Sequence, residues 1–431
     1  MFRRPRKRSW TRRIPATNKP PGEGGDSQAV FRKHKPDYWL VIVSFTLLLI
    51  GIVVVYSISP GLAAAQGVSE HYYVTKQLIA LSLGVAGFIF FSSLPLNTIK
   101  RFTKSLIWLS LLMIVAVQVF GQEANGAYRW IQVGGFSFQV AELVKFTLIV
   151  WLAGFLVERL AKDEIESSEK TLKPLVILVG LIGILIAGLE SDLGSAGVMI
   201  AIVAVMGFSA GLPLKKIGII AGIILILTTL AISTTPYRRD RLASFLSPAK
   251  DCQSEGYQSC QALIAVGSGG IFGLGLANGV QAYGYLPEAE NDSIFAILGE
   301  KFGFIGTSAV IGLYAVLFAR MRRTILRTAD SFSRLVVIGV LAWLSTQTII
   351  NIGAMIGLLP LKGITLPLVS YGGTSLVFIM AALGVVFQIS RYTSYSTIRN
   401  VSVSTRKGGA VESPIGRRGQ RRPYYASPGN R

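Results

Sequence analysis

The chain is built from apolar runs separated by short polar segments. Ten runs have roughly the length that a helix needs to cross a bilayer, about 17–25 residues. They cover 38–58, 74–94, 105–120, 141–158, 174–189, 195–211, 217–233, 293–318, 335–358 and 374–390. The pattern predicts an all-α polytopic membrane protein with about ten transmembrane helices, which form one domain over 38–392.

The composition agrees with this pattern and sets the two ends of the chain apart. Hydrophobic residues make up 51% of the 431 positions and charged residues only 15%, whereas about a quarter of a soluble protein is charged. The ends, 1–37 and 393–431, are basic and polar, and the first has no apolar core behind its charges. We therefore expect two disordered tails and no cleavable signal peptide.

Positive charge predicts the orientation of the chain in the membrane. With the N-terminus inside, 34 of the 43 Lys and Arg residues fall in cytoplasmic segments, as the positive-inside rule requires. An even number of spans then places both termini in the cytoplasm, and a large loop, 234–292, outside between helices 7 and 8. The net charge of +21 could also indicate nucleic-acid binding. Because no groove-reading motif is present, we expect contact with anionic lipid and no nucleic-acid partner.

Several ionisable residues lie near membrane depth, where each is costly unless it is paired or faces water. Glu142 and Lys145 lie three residues apart at the outer start of a helix and so share one face. They are either cavity residues or a structural ion pair that locks two helices together. Glu190 and Asp192 lie at an outer hinge, where Asp192 is either functional or the N-cap of the next helix.

A glycine-rich run, 267–277, precedes the eighth predicted span, and a second glycine-containing turn, 366–375, precedes the tenth. Because no strand comes before it, the first run is not a nucleotide-binding loop. It predicts a tight re-entrant or surface turn whose backbone N–H groups could approach an anion. Further on, Glu300 and Lys301 point about 100° apart on a helix, so one could line a cavity while the other finds a different partner.

The only two cysteines, Cys252 and Cys260, lie in the large outer loop. In an oxidising compartment they can form a disulfide, and the alternative is two free thiols without a role. Two cysteines and two distant histidines do not make a set of metal ligands.

The carboxylates that open the eighth span predict a polar cavity at the outer leaflet, and such a cavity fits two classes of function. One is an enzyme that acts on a lipid-linked substrate, and the other is a transporter or flippase with a gated cavity. The two halves of the chain show no convincing repeat and no ATPase motif is present, so the residues alone leave both classes open.

Five ordered blocks of the sequence resemble the SEDS family of shape, elongation, division and sporulation proteins, which FtsW and RodA typify. The blocks are GAYRWIQVGGFSFQVAELVKF (126–146), ESDLGSAG (190–197), YQSCQALIAVGSGGIFGLGL (257–276), YLPEAENDSIFAILGEKFGFIG (285–306) and GLLPLKGITLPLVSYGGTSL (357–376). The resemblance covers about 38–392, and the long basic N-terminal extension is closer to FtsW than to RodA.

This resemblance implies a peptidoglycan glycosyltransferase in the bacterial cytoplasmic membrane that polymerises lipid II on the outer face. The implied partners are a class B penicillin-binding protein, divisome membrane proteins and membrane lipid. The FtsW-like extension favours wall synthesis at the division septum over a RodA-like role in elongation. A lipid II flippase or a non-enzymatic divisome scaffold remains the alternative function.

The essential aspartate of the family lies in a block usually written PEAHTD, and this places it at Asp292. Here the block reads PEAEND (287–292), so Glu290 and Asn291 replace the usual His-Thr pair. The resemblance implies that Asp292 is a general base for the acceptor hydroxyl, whereas the residues alone also allow a helix N-cap. The additional acid could help to hold a divalent cation such as Mg²⁺ or Mn²⁺; no other cofactor is expected.

Eight further residues are expected to bind the substrate: Glu142, Lys145, Arg129, Asp192, Glu288, Ser268, Lys362 and Ser370. Glu142 and Lys145 match a charged pair of the family, although Ala141 replaces the serine that often precedes it. Arginine can bind phosphate through two parallel hydrogen bonds, so Arg129 and an outer-loop cluster are candidates for the leaving diphosphate, together with Lys362 and Lys145. That cluster consists of Arg238, Arg239 and Arg241, for which contact with lipid headgroups is the alternative.

Overall fold

A computed structural model describes residues 35–124, 127–133, 136–222, 252–253 and 256–391. In chain order its α-helices are α1 (Tyr38–Gln66), α2 (Tyr72–Ser93), α3 (Leu96–Arg101), α4 (Thr103–Phe120), α5 (Val140–Ala161), α6 (Lys173–Ile182), α7 (Leu193–Ser209), α8 (Tyr257–Ser268), α9 (Ile294–Arg327), α10 (Ser331–Met355) and α11 (Gly373–Ser390). Within the described residues, three π-helical turns lie at Ser168–Leu172, Gly183–Leu189 and Gln281–Tyr285, and the first two extend α6 at both ends.

The all-α membrane architecture predicted from the sequence is confirmed. Within the described residues, eight helices are long and apolar enough to cross a membrane, and each coincides with a predicted span. The predicted sixth span corresponds to α7, which is shorter at 17 residues. The predicted seventh span, 217–233, is helical as far as residue 222 and then leaves the described part of the chain.

The helices divide into central and peripheral ones. In the most apolar 18-residue stretch of each helix, 72% of α5 and 83% of α11 is buried inside the protein. The corresponding share is 17% in α2 and in α4. A close backbone approach places α2 against α11, because a Cβ at Gly384 would lie 2.6 Å from the carbonyl oxygen of Phe88. The polar side chains in the first half of α5, Glu142, Lys145 and Thr147, lie in the protein interior rather than against lipid.

The ends that the charge pattern assigns to the cytoplasm meet on one side of the bundle. Asp37 precedes α1, and its carboxylate lies 2.7 Å from Nη2 of Arg320 in the basic end of α9. The backbone N–H of Asp37 donates to Oγ of Ser390, the last residue of α11. The predicted tails themselves, 1–37 and 393–431, lie almost wholly outside the described residues.

The segment between the third and fourth predicted spans contains a small antiparallel sheet. Its strands are β1 (Gln122–Ala124), β2 (Ala127–Val133) and β3 (Phe136–Gln139), in the order β1-β2-β3. The sequence carried a signal for this hairpin, because two runs of alternating character flank the pair Gly134-Gly135. The sheet joins α4 to α5 and holds the start of α5.

The glycine-rich run packs against α9 at the point where this helix is broken. Gly303 has φ 63° and ψ −162°, which interrupts the helix. The backbone N–H groups of Leu274 and Gly275 donate to the carbonyl oxygens of Glu300 and Lys301, at 2.9 and 3.0 Å. The run is therefore a tight turn, as predicted, and it replaces hydrogen bonds that the broken helix cannot make internally.

Replacing Gly273 with alanine is expected to destabilise the protein by roughly 1–3 kcal/mol. Gly273 has φ 82°, and a Cβ there would lie only 2.3 Å from the carbonyl oxygen of Lys301. Gly270 is the matched control, because it also has a positive φ, 51°, yet a Cβ there meets nothing within 4 Å. Unfolding midpoints in detergent should fall more for Gly273→Ala than for Gly270→Ala. Equal losses would show that only backbone strain matters.

Candidate active site

Asp292 lies at the mouth of α9, immediately before the residues that begin the helix. Ser293 occupies the N-cap position, and its own side chain makes no capping hydrogen bond. Instead, the hydroxyl of Ser293 donates to the carbonyl oxygen of Pro287 at 2.9 Å. The N-cap position is thus taken by Ser293 rather than by Asp292, and the role of the Asp292 carboxylate as a base stays a prediction.

A cleft brings Asp292 and Lys362 together, although 69 positions separate them in the sequence. The cleft is small and partly open to solvent. Its lining residues are Gln258, Asp292, Ile350, Asn351, Ala354, Met355, Leu361, Lys362, Gly363 and Ile364. Gly363 has φ 63°, and a Cβ there would lie 3.3 Å from Oδ2 of Asp292. An acid and a base thus face one polar space whose remaining walls are partly apolar.

The turn before α11 holds the Asp292 segment from the other side. The hydroxyl of Ser370 donates to the carbonyl oxygen of Asn291 at 2.6 Å, and the backbone N–H of Tyr371 donates to that of Glu290 at 2.9 Å. The same Ser370 hydroxyl accepts from the backbone N–H of Leu366 at 2.7 Å. Ser370, predicted to bind substrate, here fixes the protein backbone.

The two glutamates of the acidic block lie in different environments. Glu290 is buried, with 7% of its surface exposed, and this burial raises the pKa of its carboxyl group. Glu288 is exposed and accepts a hydrogen bond from Nδ2 of Asn291 at 2.7 Å. Its φ of 51° is unusual for a residue other than glycine, and such strained backbone clusters at functional sites.

Glu142 and Lys145 form a buried ion pair rather than part of the cleft lining. Their Oε1 and Nζ atoms lie 2.7 Å apart, and their side chains are 3% and 1% exposed. Nζ of Lys145 also donates to Oε1 of Gln347 in α10 at 3.4 Å. The structure therefore favours the alternative in which the pair joins two helices, and it adds Gln347 as the residue they meet.

The outer hinge between α6 and α7 is held by contacts from the sheet. Asp192 caps α7, because Oδ1 accepts from the backbone N–H of Ser195 at 2.9 Å. The guanidinium group of Arg129 in β2 donates to the carbonyl oxygens of Glu190 and Ser191 at 2.8 and 2.9 Å. Neither Asp192 nor Arg129 lines the cleft, so both predicted substrate residues have structural contacts here.

Glu190 is fully buried in this hinge, and neither carboxyl oxygen has a hydrogen-bond partner within the described residues. Burial, followed by the nearby charge of Asp192, raises the pKa of Glu190 from 4.5 to about 8. Between these two values the folded protein binds more protons than the unfolded chain, so its stability falls as the pH rises.

The variant Glu190→Gln is expected to lose this pH dependence, because the amide cannot ionise. The unfolding midpoint of the wild-type protein should fall between about pH 5 and pH 8, while that of the variant stays flatter. The control is Glu70→Gln, since Glu70 is exposed and its replacement should leave the wild-type slope. Parallel slopes for wild type and Glu190→Gln would contradict the assignment.

The charges inside α9 bind the backbone of the glycine-rich segment. Oε1 of Glu300 accepts from the backbone N–H groups of Val280 and Gln281, at 2.8 and 3.0 Å. Nζ of Lys301 donates to the carbonyl oxygen of Leu276 at 2.6 Å. Glu300 thus binds backbone N–H groups just after the glycine-rich run, and the approach of an anion to the run 267–277 itself stays a prediction. Ser268, whose hydroxyl donates to the carbonyl oxygen of Ala265, does not line the cleft.

A disulfide joins Cys252 to Cys260, the first of the two alternatives left open by the sequence. It ties the approach to α8 to the helix itself, whose residue Gln258 lines the cleft. The arginine cluster Arg238, Arg239 and Arg241 lies outside the described residues. Within those residues, no group of three or more His, Cys, Asp and Glu side chains could hold a metal ion.

Comparison with known proteins identifies relatives along most of the chain. A family model described as "Cell cycle protein", for FtsW, RodA and SpoVE, matches residues 38–395. "Stage V sporulation protein E" of Bacillus subtilis is 37% identical over 366 residues, or 84% of this chain and 99% of that protein. A "Probable peptidoglycan glycosyltransferase FtsW" of Coxiella burnetii is 39% identical over 367 residues, or 83% and 96%.

Solved structures share the fold. A chain of "Structural coordination of polymerization and crosslinking by a peptidoglycan synthase complex" matches with a TM-score of 0.68 at 29% identity, over 83% of this chain and 98% of that chain. The rod shape determining protein RodA of Thermus thermophilus matches with a TM-score of 0.60 at 27% identity, over 83% and 98%. The chain therefore belongs to the FtsW, RodA and SpoVE family of membrane-embedded cell-cycle proteins.

Proposed function

We propose that this protein is a peptidoglycan glycosyltransferase that polymerises lipid II at the outer face of the bacterial cytoplasmic membrane. The observation that carries the proposal is the cleft in which Asp292 and Lys362 face one polar space at the predicted outer surface. A relative is named a peptidoglycan glycosyltransferase, which supports the same reaction class. The donor is a lipid-linked sugar diphosphate, so its reactive end has to reach such a surface.

In the proposed reaction, Asp292 removes the proton from the acceptor sugar hydroxyl as this oxygen attacks the anomeric carbon of the donor. The bond from that carbon to the diphosphate breaks, and undecaprenyl diphosphate leaves with the bonding electron pair. A sugar hydroxyl is a very weak acid, so a positioned base should accelerate the step about 10²–10⁴-fold. Lys362 is suited to the developing negative charge on the diphosphate.

The cellular role that we propose is synthesis of septal wall during division, together with a class B penicillin-binding protein and other divisome proteins. The basic N-terminal segment 1–37 supports the FtsW-like role, and the matched peptidoglycan synthase complex supports a crosslinking partner. A RodA-like role in elongation is the alternative within the family. Divalent cations such as Mg²⁺ or Mn²⁺ should be varied in every assay, because an acidic mouth can recruit them.

The deciding experiment compares polymerisation with transport. The purified full-length chain, alone and with its penicillin-binding protein, is incubated with lipid II, and glycan polymer is resolved on a gel. In parallel, the same protein in vesicles is tested for movement of lipid II between leaflets. Polymer without transport is the expected result. Transport without polymer would replace the proposal with the flippase alternative, and neither activity would favour the scaffold.

A further inference from the structure

One side chain of α10 joins the two segments that carry the charges of the cleft. Nδ2 of Asn351 donates to the main-chain carbonyl oxygen of Asp292 and to that of Ile364, each at 2.7 Å. Ile364 lies two residues after Lys362, and Asn351 itself lines the cleft and is 2% exposed. The amide group of Asn351 therefore binds the segment of Asp292 and the segment of Lys362 at the same time.

The hydrogen bonds leave no freedom in how this amide is oriented. Carbonyl oxygens only accept, so both contacts require the NH₂ group of Asn351, and Oδ1 must point elsewhere. Oδ1 is buried and has no hydrogen-bond partner within the described residues. Leaving a buried acceptor unpaired is unfavourable, so a side chain selected for packing alone would be apolar here.

The segment that contains Lys362 relies on such side chains, because residues 360–366 form neither helix nor strand. Buried carbonyl groups outside regular structure need donors from elsewhere. Gln347, one helical turn before Asn351, donates through Nε2 to the main-chain oxygen of Thr365 at 3.0 Å and to its hydroxyl at 3.2 Å. Consecutive carbonyl groups, of Ile364 and Thr365, are thus bound by two amides on one face of α10.

The buried ion pair fixes the second of these amides. Oε1 of Gln347 accepts from Nε1 of Trp343 at 2.8 Å and from Nζ of Lys145 at 3.4 Å. This leaves Nε2 of Gln347 to donate to Thr365. A continuous hydrogen-bond path therefore runs from Glu142 and Lys145 to the segment that carries Lys362.

We propose that Asn351 is a positioning residue, which sets the separation of Asp292 and Lys362 by holding their two segments through one amide, with Gln347 as its support. The inference rests on the glycosyltransferase function proposed above. Asn351 touches neither reacting atom; it fixes the backbone from which the Asp292 carboxylate projects. Small displacements of a catalytic group of about 1 Å can cost 10²-fold in rate, so the effect of its loss should appear in turnover.

The first test measures lipid II polymerisation by Asn351→Leu, which has a similar volume but no donor, and by Asn351→Asp, which keeps the shape and loses both N–H groups. Both variants should lower kcat by about 10²-fold, while KM stays within about threefold. Asn278→Ala is the matched control, because its exposed amide also binds a main-chain oxygen, that of Leu274, away from the cleft. Retained kcat in either Asn351 variant, or a loss confined to KM, would overturn the proposal.

The second test needs neither substrate nor activity. Both natural cysteines are disulfide-bonded, so Lys362→Cys introduces one free thiol for a fluorinated label. The ¹⁹F spectrum of the label should show one narrow line in the protein that keeps Asn351. When Asn351→Leu is added, the line should broaden or divide while the unfolding midpoint stays unchanged. Identical spectra, or a changed spectrum only in a protein that has lost its unfolding transition, would overturn positioning.

The two readouts separate this inference from the proposed function. If the wild-type protein makes no polymer but the label responds to Asn351→Leu, the positioning role holds and glycosyl transfer is wrong. If the wild-type protein polymerises lipid II while Asn351→Leu changes neither kcat nor the spectrum, glycosyl transfer holds and the positioning role is wrong.

Discussion

Asp292→Asn is expected to reduce lipid II polymerisation by about 10²–10⁴-fold while the protein still folds and binds its partner. Asparagine has nearly the same shape as aspartate, so the contacts around the mouth of α9 are kept, but an amide cannot take the proton of the acceptor hydroxyl. The backbone of this residue stays fixed by Asn351. The measurement is the initial rate of polymer formation on a gel at saturating lipid II.

Glu70→Gln is the control for this variant, because it removes an exposed carboxylate from the same predicted face without approaching the cleft. Its polymerisation rate should equal that of the wild type. A second control is recovery of the penicillin-binding protein complex, which shows that the variant is assembled. If Asp292→Asn polymerises lipid II within a few-fold of wild type, Asp292 is not the base.

Lys145→Met is expected to cause the largest loss of stability, about 3–5 kcal/mol, because it leaves the Glu142 carboxylate buried without its partner. The pair lies in the interior, with side chains 1% and 3% exposed, so water cannot compensate the remaining charge. Lys145→Met also removes a donor to Gln347 and should therefore lower polymerisation as well. Unfolding midpoints in detergent give the stability change.

A second substitution separates the lost charge from lost packing. The double variant Lys145→Met/Glu142→Leu removes both charges of the buried ion pair. Most of the stability that Lys145→Met loses should therefore return. Activity should not return with it, since Gln347 still lacks its Lys145 contact. The control is Lys162→Met, which breaks the ion pair with Glu158 at the surface, where both side chains are more than half exposed, and should change the midpoint little. A comparable loss in Lys162→Met would contradict the argument.

The site could be predicted from the sequence only in part. Asp292 was identified through the family block, and the cleft around it contains Lys362, another predicted residue. Arg129, Asp192, Ser268 and Ser370 were predicted as substrate residues, but in this structure their side chains bind the protein backbone. A sequence does not distinguish an outer-loop residue that binds substrate from one that binds the protein backbone, because the same polar side chains bind both kinds of oxygen.

Asn351 and Gln347 were missed, although the sequence contained a signal for them. They are amides four residues apart within the apolar segment QTIINIG, and polar residues inside membrane helices commonly bind neighbouring segments. The hairpin of β2 and β3 was missed in the same way, because span prediction treats everything between apolar runs as a loop. For Asn351 the local signal could not name its partner, because Asp292 lies 59 residues away along the chain.

The sequence by itself determined the class of protein. Long apolar runs predict membrane helices because the backbone in a bilayer must satisfy its own hydrogen bonds, and the asymmetry of Lys and Arg predicts which ends lie together. Only the tertiary structure decided that Asp292 and Lys362 line one cleft and that Glu300 accepts hydrogen bonds from the backbone N–H groups of Val280 and Gln281. These depend on distances between segments far apart in sequence, and hydropathy and charge patterns carry no information about such distances.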